Sequence, residues 1–263
     1  MAEINAHPEP GRQAAPTASL APVRILVVDI GGSSVKIFLN TSADVRSFDS
    51  GASLTPETLM RRIRALAPDW QYDFVSIGYP GRMGPSGPRD EPGNLGNGWV
   101  GFDFAKAFGR PVRMVNDATL QAIGGYAGER MLFLGFGTGV GAALIANHTV
   151  IELDLGGLPL MPAATGAPVI LSDLLGHGGF ERDGREAWLA TVHRVVERLR
   201  YSFLADYVLI GGGHANEVEP LPEGARRGGN DDAFVGGVLL WHDSFEGLGA
   251  QPASGARAWR LLY

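Results

Sequence analysis

Two glycine-rich turns, each set between apolar runs, constrain this chain more than any other feature. The first is Asp29-Ile-Gly-Gly-Ser-Ser-Val-Lys, entered from Arg24-Ile-Leu-Val-Val and left through Val35-Lys-Ile-Phe-Leu. The second is Gly135-Phe-Gly-Thr-Gly-Val-Gly, between Met131-Leu-Phe-Leu and Ala142-Ala-Leu-Ile-Ala. Apolar, β-branched runs broken by a glycine tip read as hairpins. Successive backbone N–H groups at such a tip can face an anion. Gly31, Gly32, Ser33, Ser34 and Lys36 in the first turn are therefore candidate phosphate-binding residues, as are Gly137, Thr138 and Gly139 in the second. Asp29, at a strand end, is the candidate ligand for Mg2+, which prefers oxygen donors. Neither turn has the Gly-Lys-Ser/Thr spacing of a Walker loop. Neither is a dinucleotide fingerprint, because a strand and not a helix follows the glycines. A plain tight hairpin would carry the same residues once; the repetition is what favours a pair of loops gripping one phosphate chain.

The repetition extends beyond the turns. Each is followed by a third strand, Val45-Arg-Ser-Phe in one case and Thr149-Val-Ile-Glu-Leu in the other, and then by helices and further strands. Such a duplication predicts two similar α/β lobes with a cleft between them. The divisions read as a disordered Ala/Pro-rich leader over 1–22, an N-terminal lobe over 23–115, a C-terminal lobe over 116–245 and a tail over 246–263 packing on the N-terminal lobe. Thr55 suits a helix N-cap and Pro56 its first position. Further helices are expected over 102–108, 118–126 and 233–241. The longest is expected over 184–204, where Trp188, Val192, Val195, Leu199 and Phe203 step by four and three.

Two more clusters carry candidate chemistry. Leu209-Ile-Gly-Gly-Gly-His places Gly211, Gly212 and Gly213 after an apolar strand, where a nucleotide or phosphate can approach the backbone; an ordinary strand-to-helix turn has the same look. Asn116-Asp117 ends another apolar strand and precedes a helix. A carboxylate there suits a base that accepts the proton of an attacking hydroxyl, or else a helix cap. The histidines show no metal-ligand spacing and read as structural or surface residues. Arg61, Arg62 and Arg64 read as a solvated helix face, and Arg226-Arg227, just before a glycine pair, as a plain loop or else as a contact to phosphates.

Composition removes several classes. The chain has 263 residues and no cysteine, so disulfides, thiolate metal sites and a cysteine nucleophile are excluded. A formal charge of −6 does not draw it to nucleic acid. No apolar run approaches the ~20 residues that span a bilayer. The N-terminal segment lacks a signal-peptide pattern. The expectation is a cytoplasmic protein with no nucleic-acid or membrane partner.

The ordered set of motifs resembles the ROK family (repressors, open reading frames and sugar kinases), and within it the polyphosphate glucokinases. The residues carrying the resemblance are Asp29-Ile-Gly-Gly-Ser-Ser-Val-Lys, Tyr79-Pro-Gly, Asn94-Leu with Trp99, Asn116-Asp117, Gly137-Thr-Gly-Val-Gly, Gly211-Gly-Gly and Asn230-Asp-Asp-Ala-Phe-Val-Gly-Gly. Together they span residues 24–241. The resemblance implies a two-lobed actin-like ATPase (ribonuclease H-like) fold with an interlobe cleft. It further implies phosphoryl transfer from ATP or polyphosphate, with Mg2+, to the 6-hydroxyl of glucose or a related hexose. Asp117 would be the general base; Asn94, Asn116, Asp117 and Asp154 would hold the sugar. A homodimer is the family expectation. Where the family usually has Glu-Leu-Gly-His or Glu-Leu-Ala-His, this chain has Asp154-Leu-Gly-Gly, so Asp154 is one methylene shorter and Gly157 replaces the histidine. That change motivates a second reading, a sugar- or nucleotide-binding sensor that has lost catalysis. ATP and polyphosphate make the same demands on the hairpins, and both stay open as donors.

Overall fold

The apolar runs leading into the two glycine turns are strands buried on both faces. In the computed structural model, which describes residues 22–161, 168–229, 231–242 and 258–263, the first run is β1 (Ile25–Ile30). Residues 1–21 of the expected leader, Asn230 and positions 246–257 of the expected tail lie outside the described residues. The chain continues through β2 (Ser34–Leu39), β3 (Val45–Asp49), α1 (Pro56–Leu66), β4 (Phe74–Tyr79), the short pair β5 (Met83–Gly84) and β6 (Gly87–Pro88), α2 (Phe104–Phe108), β7 (Val112–Asn116) and α3 (Asp117–Gly124). The second half comprises β8 (Arg130–Phe136), β9 (Val140–Ala146), β10 (Thr149–Leu153), β11 (Pro159–Met161), β12 (Val169–Ile170), α4 (Leu171–Leu175), α5 (His177–Ser202), β13 (Tyr207–Gly211), β14 (Ala225–Arg227), α6 (Asp232–Leu239) and β15 (Arg260–Leu262).

The two large sheets share one plan. The first runs β3-β2-β1-β4-β7; the second, apart from β15 on its edge, runs β10-β9-β8-β13-β14. In each, three antiparallel strands are followed by two parallel ones. Alternate residues of β1 serve two cores: Leu26, Val28 and Ile30 face α1, while Ile25 and Val27 face the middle of the molecule. β8 repeats this, with Leu132, Leu134 and Phe136 packing towards Trp188 of α5 and Met131 and Phe133 towards the middle. Burial on both faces explains why these strands read as unbroken apolar runs and not as alternating ones.

Helices α3 and α6 form the middle layer, between the two sheets. α3 lies against β9, where Gly141 leaves room for Ala118, and α6 lies against β1, where Gly237 leaves room for Val27. The two helices cross through Gly124 and Gly236, each facing a backbone carbonyl of the other helix. Below α6, buried Ser76 of β4 donates to the Gly237 carbonyl at 2.5 Å and accepts from the Trp241 indole at 2.9 Å. The glycine turns after β1, β8 and β13 each leave the C-terminal end of their strand and line one cleft.

Several expected boundaries shift. Helix α1 starts as expected, with the Thr55 hydroxyl accepting from the Thr58 N–H and Pro56 in the first turn. The helix expected over 102–108 begins only at Phe104, because the Asp103 side chain caps it by accepting from the Lys106 N–H at 2.9 Å. The long helix begins just after residue 184, as expected: Gly184, at φ 74° and ψ 162°, is not helical and separates it from a short helical segment that starts at His177. Glycines 178 and 179 hid that short segment, since glycine weakens any helical pattern. The described end of the tail forms a strand. Instead of lying on the N-terminal lobe, β15 pairs in parallel with β10 of the second sheet, and Trp259 packs on His148 and Tyr126. Arg226 and Arg227, expected in a loop, lie instead in β14, where Arg226 stacks on the Tyr207 ring and Arg227 is tied to Glu219.

Candidate active site

One cleft of about 970 Å³ lies between the lobes. It is lined by every residue the sequence nominated: Asp29, Gly31, Gly32, Ser33, Ser34 and Lys36 from the first hairpin; Asn94, Asn116 and Asp117; Gly137, Thr138 and Gly139 from the second hairpin; Asp154; and Gly211, Gly212 and Gly213.

The hairpin tips meet. A methyl group on Gly32 would lie 2.8 Å from the Thr138 hydroxyl and 2.9 Å from the Asn94 amide nitrogen, so any side chain there would displace both cleft residues. The first turn is closed by the Gly31 N–H donating to the Ser34 carbonyl at 2.9 Å, and the second by the Gly137 N–H donating to the Gly139 carbonyl at 3.0 Å. Among the described residues, the N–H groups of Gly32, Ser33, Thr138 and Gly139 meet no acceptor. Unpaired amides gathered at a cleft wall are an anion cradle in search of an acceptor. Gly32→Ala should therefore displace Thr138 and Asn94 and weaken phosphate-ligand affinity about tenfold or more, with little change in melting temperature. Titration calorimetry and a thermal melt of the variant would check both halves of that expectation.

Asn94 is delivered by a loop pinned at Trp99. The buried indole donates to the Gly96 carbonyl at 2.6 Å and packs on Tyr79 and Phe104. Glu91 accepts from the N–H groups of Trp99 and Val100, at 3.0 and 3.2 Å. At the β7–α3 junction, the Asn116 side chain caps α3 by accepting from the Ala118 N–H at 2.9 Å. Its amide nitrogen donates to the carbonyls of Tyr79 and Gly81, at 3.3 and 3.1 Å. Asn116 is thus the cap residue, the Asp117 carboxylate shares the Ala118 N–H at 2.9 Å, and Asp117 stands in the first helical turn and lines the cleft.

Burial sets the charge state here. Asp117 is pushed up to about 7, first by desolvation and then by the neighbouring Asp29 carboxylate; hydrogen bonds from backbone N–H groups, led by that of Ala118, oppose the shift. Asp29 is pushed up to about 6 by desolvation, with Lys36 across the strand pair pulling it down. Among the described residues the Asp29 carboxylate takes part in no hydrogen bond. A buried carboxylate without a partner fits a Mg2+ site, since that ion needs only one or two protein carboxylates beside phosphate and water oxygens. No group of three or more His, Asp or Glu side chains gathers into a complete metal cage among the described residues.

Several cleft residues escaped the sequence reading. Glu152 of β10 accepts from the Asn116 N–H at 2.9 Å and from the Thr119 hydroxyl at 3.2 Å, so the second sheet steadies the residue next to Asp117. Burial raises its pKa. A single glutamate in an apolar strand carries no local sign of such a role. Tyr263 reaches the cleft wall, with burial and then the nearby Glu152 raising its hydroxyl pKa and Arg113 lowering it. His177 and His214 line the cleft too, against their reading as residues apart from the site. On the opposite wall the Asp154 carboxylate accepts from the Gly157 N–H at 3.3 Å, within a short turn of its own.

Two three-plus-two sheets, paired glycine hairpins and a buried carboxylate between them define the α/β, two-domain actin/ROK-like ATPase fold. Among the particular solved structures it is similar to are three proteins of low sequence identity. An inorganic polyphosphate/ATP-glucomannokinase from Arthrobacter sp. strain KM superposes with a TM-score of 0.70 at 18% identity, over 83% of this chain and 98% of that one. A ROK family protein from Streptococcus pneumoniae TIGR4 in complex with sucrose gives 0.65 at 16%, over 86% and 100%. A ROK family glucokinase from Streptomyces griseus in complex with glucose and AMPPNP gives 0.61 at 15%, over 81% and 97%. No family model matches the sequence, and no curated protein matches it. Among the described residues no helix is long and apolar enough to cross a membrane.

Proposed function

We propose that this chain is a ROK-type sugar kinase that transfers a phosphoryl group from polyphosphate or ATP to the 6-hydroxyl of glucose or a related hexose. The observation that carries the reading is the position of Asp117. It is a buried carboxylate, poised near pH 7, in the cleft that two unpaired-amide hairpins also line. The resemblance of the ordered motifs and the likeness to solved sugar kinases support it.

In this reading the amides of Gly32, Ser33, Thr138 and Gly139 hold the donor phosphates, with Lys36 adding charge and Gly211, Gly212 and Gly213 lining the nucleotide side. Mg2+, when bound at Asp29, would neutralise charge on the donor phosphates. Asn94 and Asp154 orient the hexose, together with the remaining lone pair of the Asn116 amide oxygen. Asp117 accepts the proton of the attacking hydroxyl. Its raised pKa makes it a stronger base than an exposed aspartate while leaving it ionised just above neutrality. Closure of the cleft around the hexose excludes water, which would otherwise compete as acceptor.

A matrix of phosphorylation assays, with ATP and polyphosphate against a panel of hexoses in Mg2+, tests the proposal. A hexose 6-phosphate is the expected product with at least one donor; no product from any combination overturns it. The turn in which Asp154 is held by Gly157, where the family has Glu and His, supports the second reading of a sensor without turnover. That reading predicts that sugar or nucleotide raises the melting temperature while no product forms.

A further inference from the structure

The cleft holds a titratable pair that the proposed chemistry does not use. His177 opens α5, and His214 follows the turn of Gly211, Gly212 and Gly213. Nδ1 of His177 lies 3.2 Å from Nε2 of His214, the ring planes differ by 9°, and the centroids are 5.4 Å apart. The centroid separation exceeds the nitrogen separation by about the width of one ring, so the rings lie edge to edge, joined by an N–H···N hydrogen bond. The two facing nitrogens are used up on each other and do not converge on a metal ion. The outward nitrogens are Nε2 of His177 and Nδ1 of His214.

That arrangement has a definite proton chemistry. With the pair neutral, one proton bridges the rings and only one outward nitrogen carries a hydrogen. One added proton turns both outward nitrogens into donors and gives the pair a positive charge. The backbone fixes the pair beside the second hairpin: the His177 N–H donates to the Gly137 carbonyl at 2.8 Å, and the His214 N–H to the Phe136 carbonyl at 2.9 Å. His214 packs on Phe180 and Trp188. Its pKa is held below the ordinary value by burial and then by His177, while Glu217 and Glu181 pull it upward. The nearby cations are committed elsewhere, Arg185 to Glu217 and Arg182 to Asp183. An anion at the outward edge of the rings would favour the protonated pair, as the two glutamates do.

We propose that the His177–His214 pair is a proton-dependent subsite for the stretch of a phosphate chain that runs beyond the second hairpin. The ligand class is a linear polyphosphate anion, either an inorganic chain or the phosphates of a nucleoside triphosphate. The proposal rests on the reading of the two hairpins as the bed of that chain. The sign follows from the pairing: the protonated pair binds, so affinity rises as pH falls.

Titration calorimetry of the whole protein with tripolyphosphate, and separately with ATP, at pH 6.0 and 8.0 tests it. The wild-type protein should bind tripolyphosphate about tenfold more tightly at the lower pH, with uptake of about one proton. His177→Gln and His214→Gln should each abolish the extra proton uptake and flatten the pH dependence to that of the ligand's own ionisation. An equal effect on ATP supports a subsite for either phosphate source, and an effect on tripolyphosphate alone supports one for the inorganic chain. Identical pH dependence in wild type and variants, or no tripolyphosphate binding at either pH, overturns the proposal. Should His214→Gln fail to fold because of its packing on Phe180, the exposed His177 carries the test alone. Binding is measured without a sugar, so an absence of hexose phosphorylation would count against the kinase reading and leave this one standing.

Discussion

Asp117→Asn is expected to lower phosphoryl transfer by about 10²- to 10⁴-fold while making the protein more stable above neutral pH. The loss is what removal of a general base typically costs. The gain follows from desolvation. The carboxyl group's folded pKa of about 7 stands above its unfolded value, so the folded state binds its proton more tightly than the unfolded state does. The stability this group contributes is fully present below the unfolded pKa, near 4, and is lost as pH rises through about 7. A neutral amide escapes that loss. Each pK unit corresponds to about 1.4 kcal/mol, so the variant should exceed the wild type by more than about 1 kcal/mol at pH 8 and match it near pH 4. Denaturant unfolding across that range reads the effect. A variant that is inactive and also destabilised at pH 8 would show that Asp117 holds the fold and not the reaction. In the wild type, kcat/KM should climb with pH through about 7 as the base ionises.

Gly236→Ala should be among the most destabilising of the single methyls that can be added to the described helices. A Cβ at Gly236 would land on the Leu120 carbonyl, and one at Gly124 on the Asp232 carbonyl; neither obstacle is a side chain that can rotate away. The α3–α6 crossing would have to open, at a cost of about 3 kcal/mol or more, the upper end of what overpacking does. Opening it also moves α3, whose first turn carries Asp117, so activity should fall with stability. Gly178→Ala is the matched control. It lies in α5 with nothing near its added methyl and should be neutral or slightly stabilising. Equal melting temperatures for Gly236→Ala and the control would show that the crossing is looser than its geometry indicates.

Much of the fold was legible because it is written in local patterns. Both hairpins, the cap at Thr55 and the strand ends at Tyr79, Asn116 and Gly211 follow from apolar runs and from glycine, proline and hydroxyl residues within a few positions. Much of the candidate site was legible for the same reason, since Asp29, the glycines of the three turns and Asn116-Asp117 sit at strand ends or turns beside recognisable runs; Asn94 and Asp154 were nominated only by the resemblance. Glu152 was not, because its hydrogen bonds reach the Asn116–Thr119 segment from another sheet. The imidazole pair was not, because His177 and His214 meet only when the start of α5 folds back on the turn after β13.

By itself, then, the sequence determined two glycine-tipped α/β repeats and the carboxylate between them, since hydrophobic period and backbone freedom act over a few residues. Only the tertiary structure decided that the two tips touch at Gly32, that α3 and α6 cross on glycine, that the chain's end joins the second sheet, and that Asp117 is buried deeply enough to titrate near 7. Each of these depends on how closely distant segments approach and how completely they exclude water, and neither quantity is carried by any one stretch of residues.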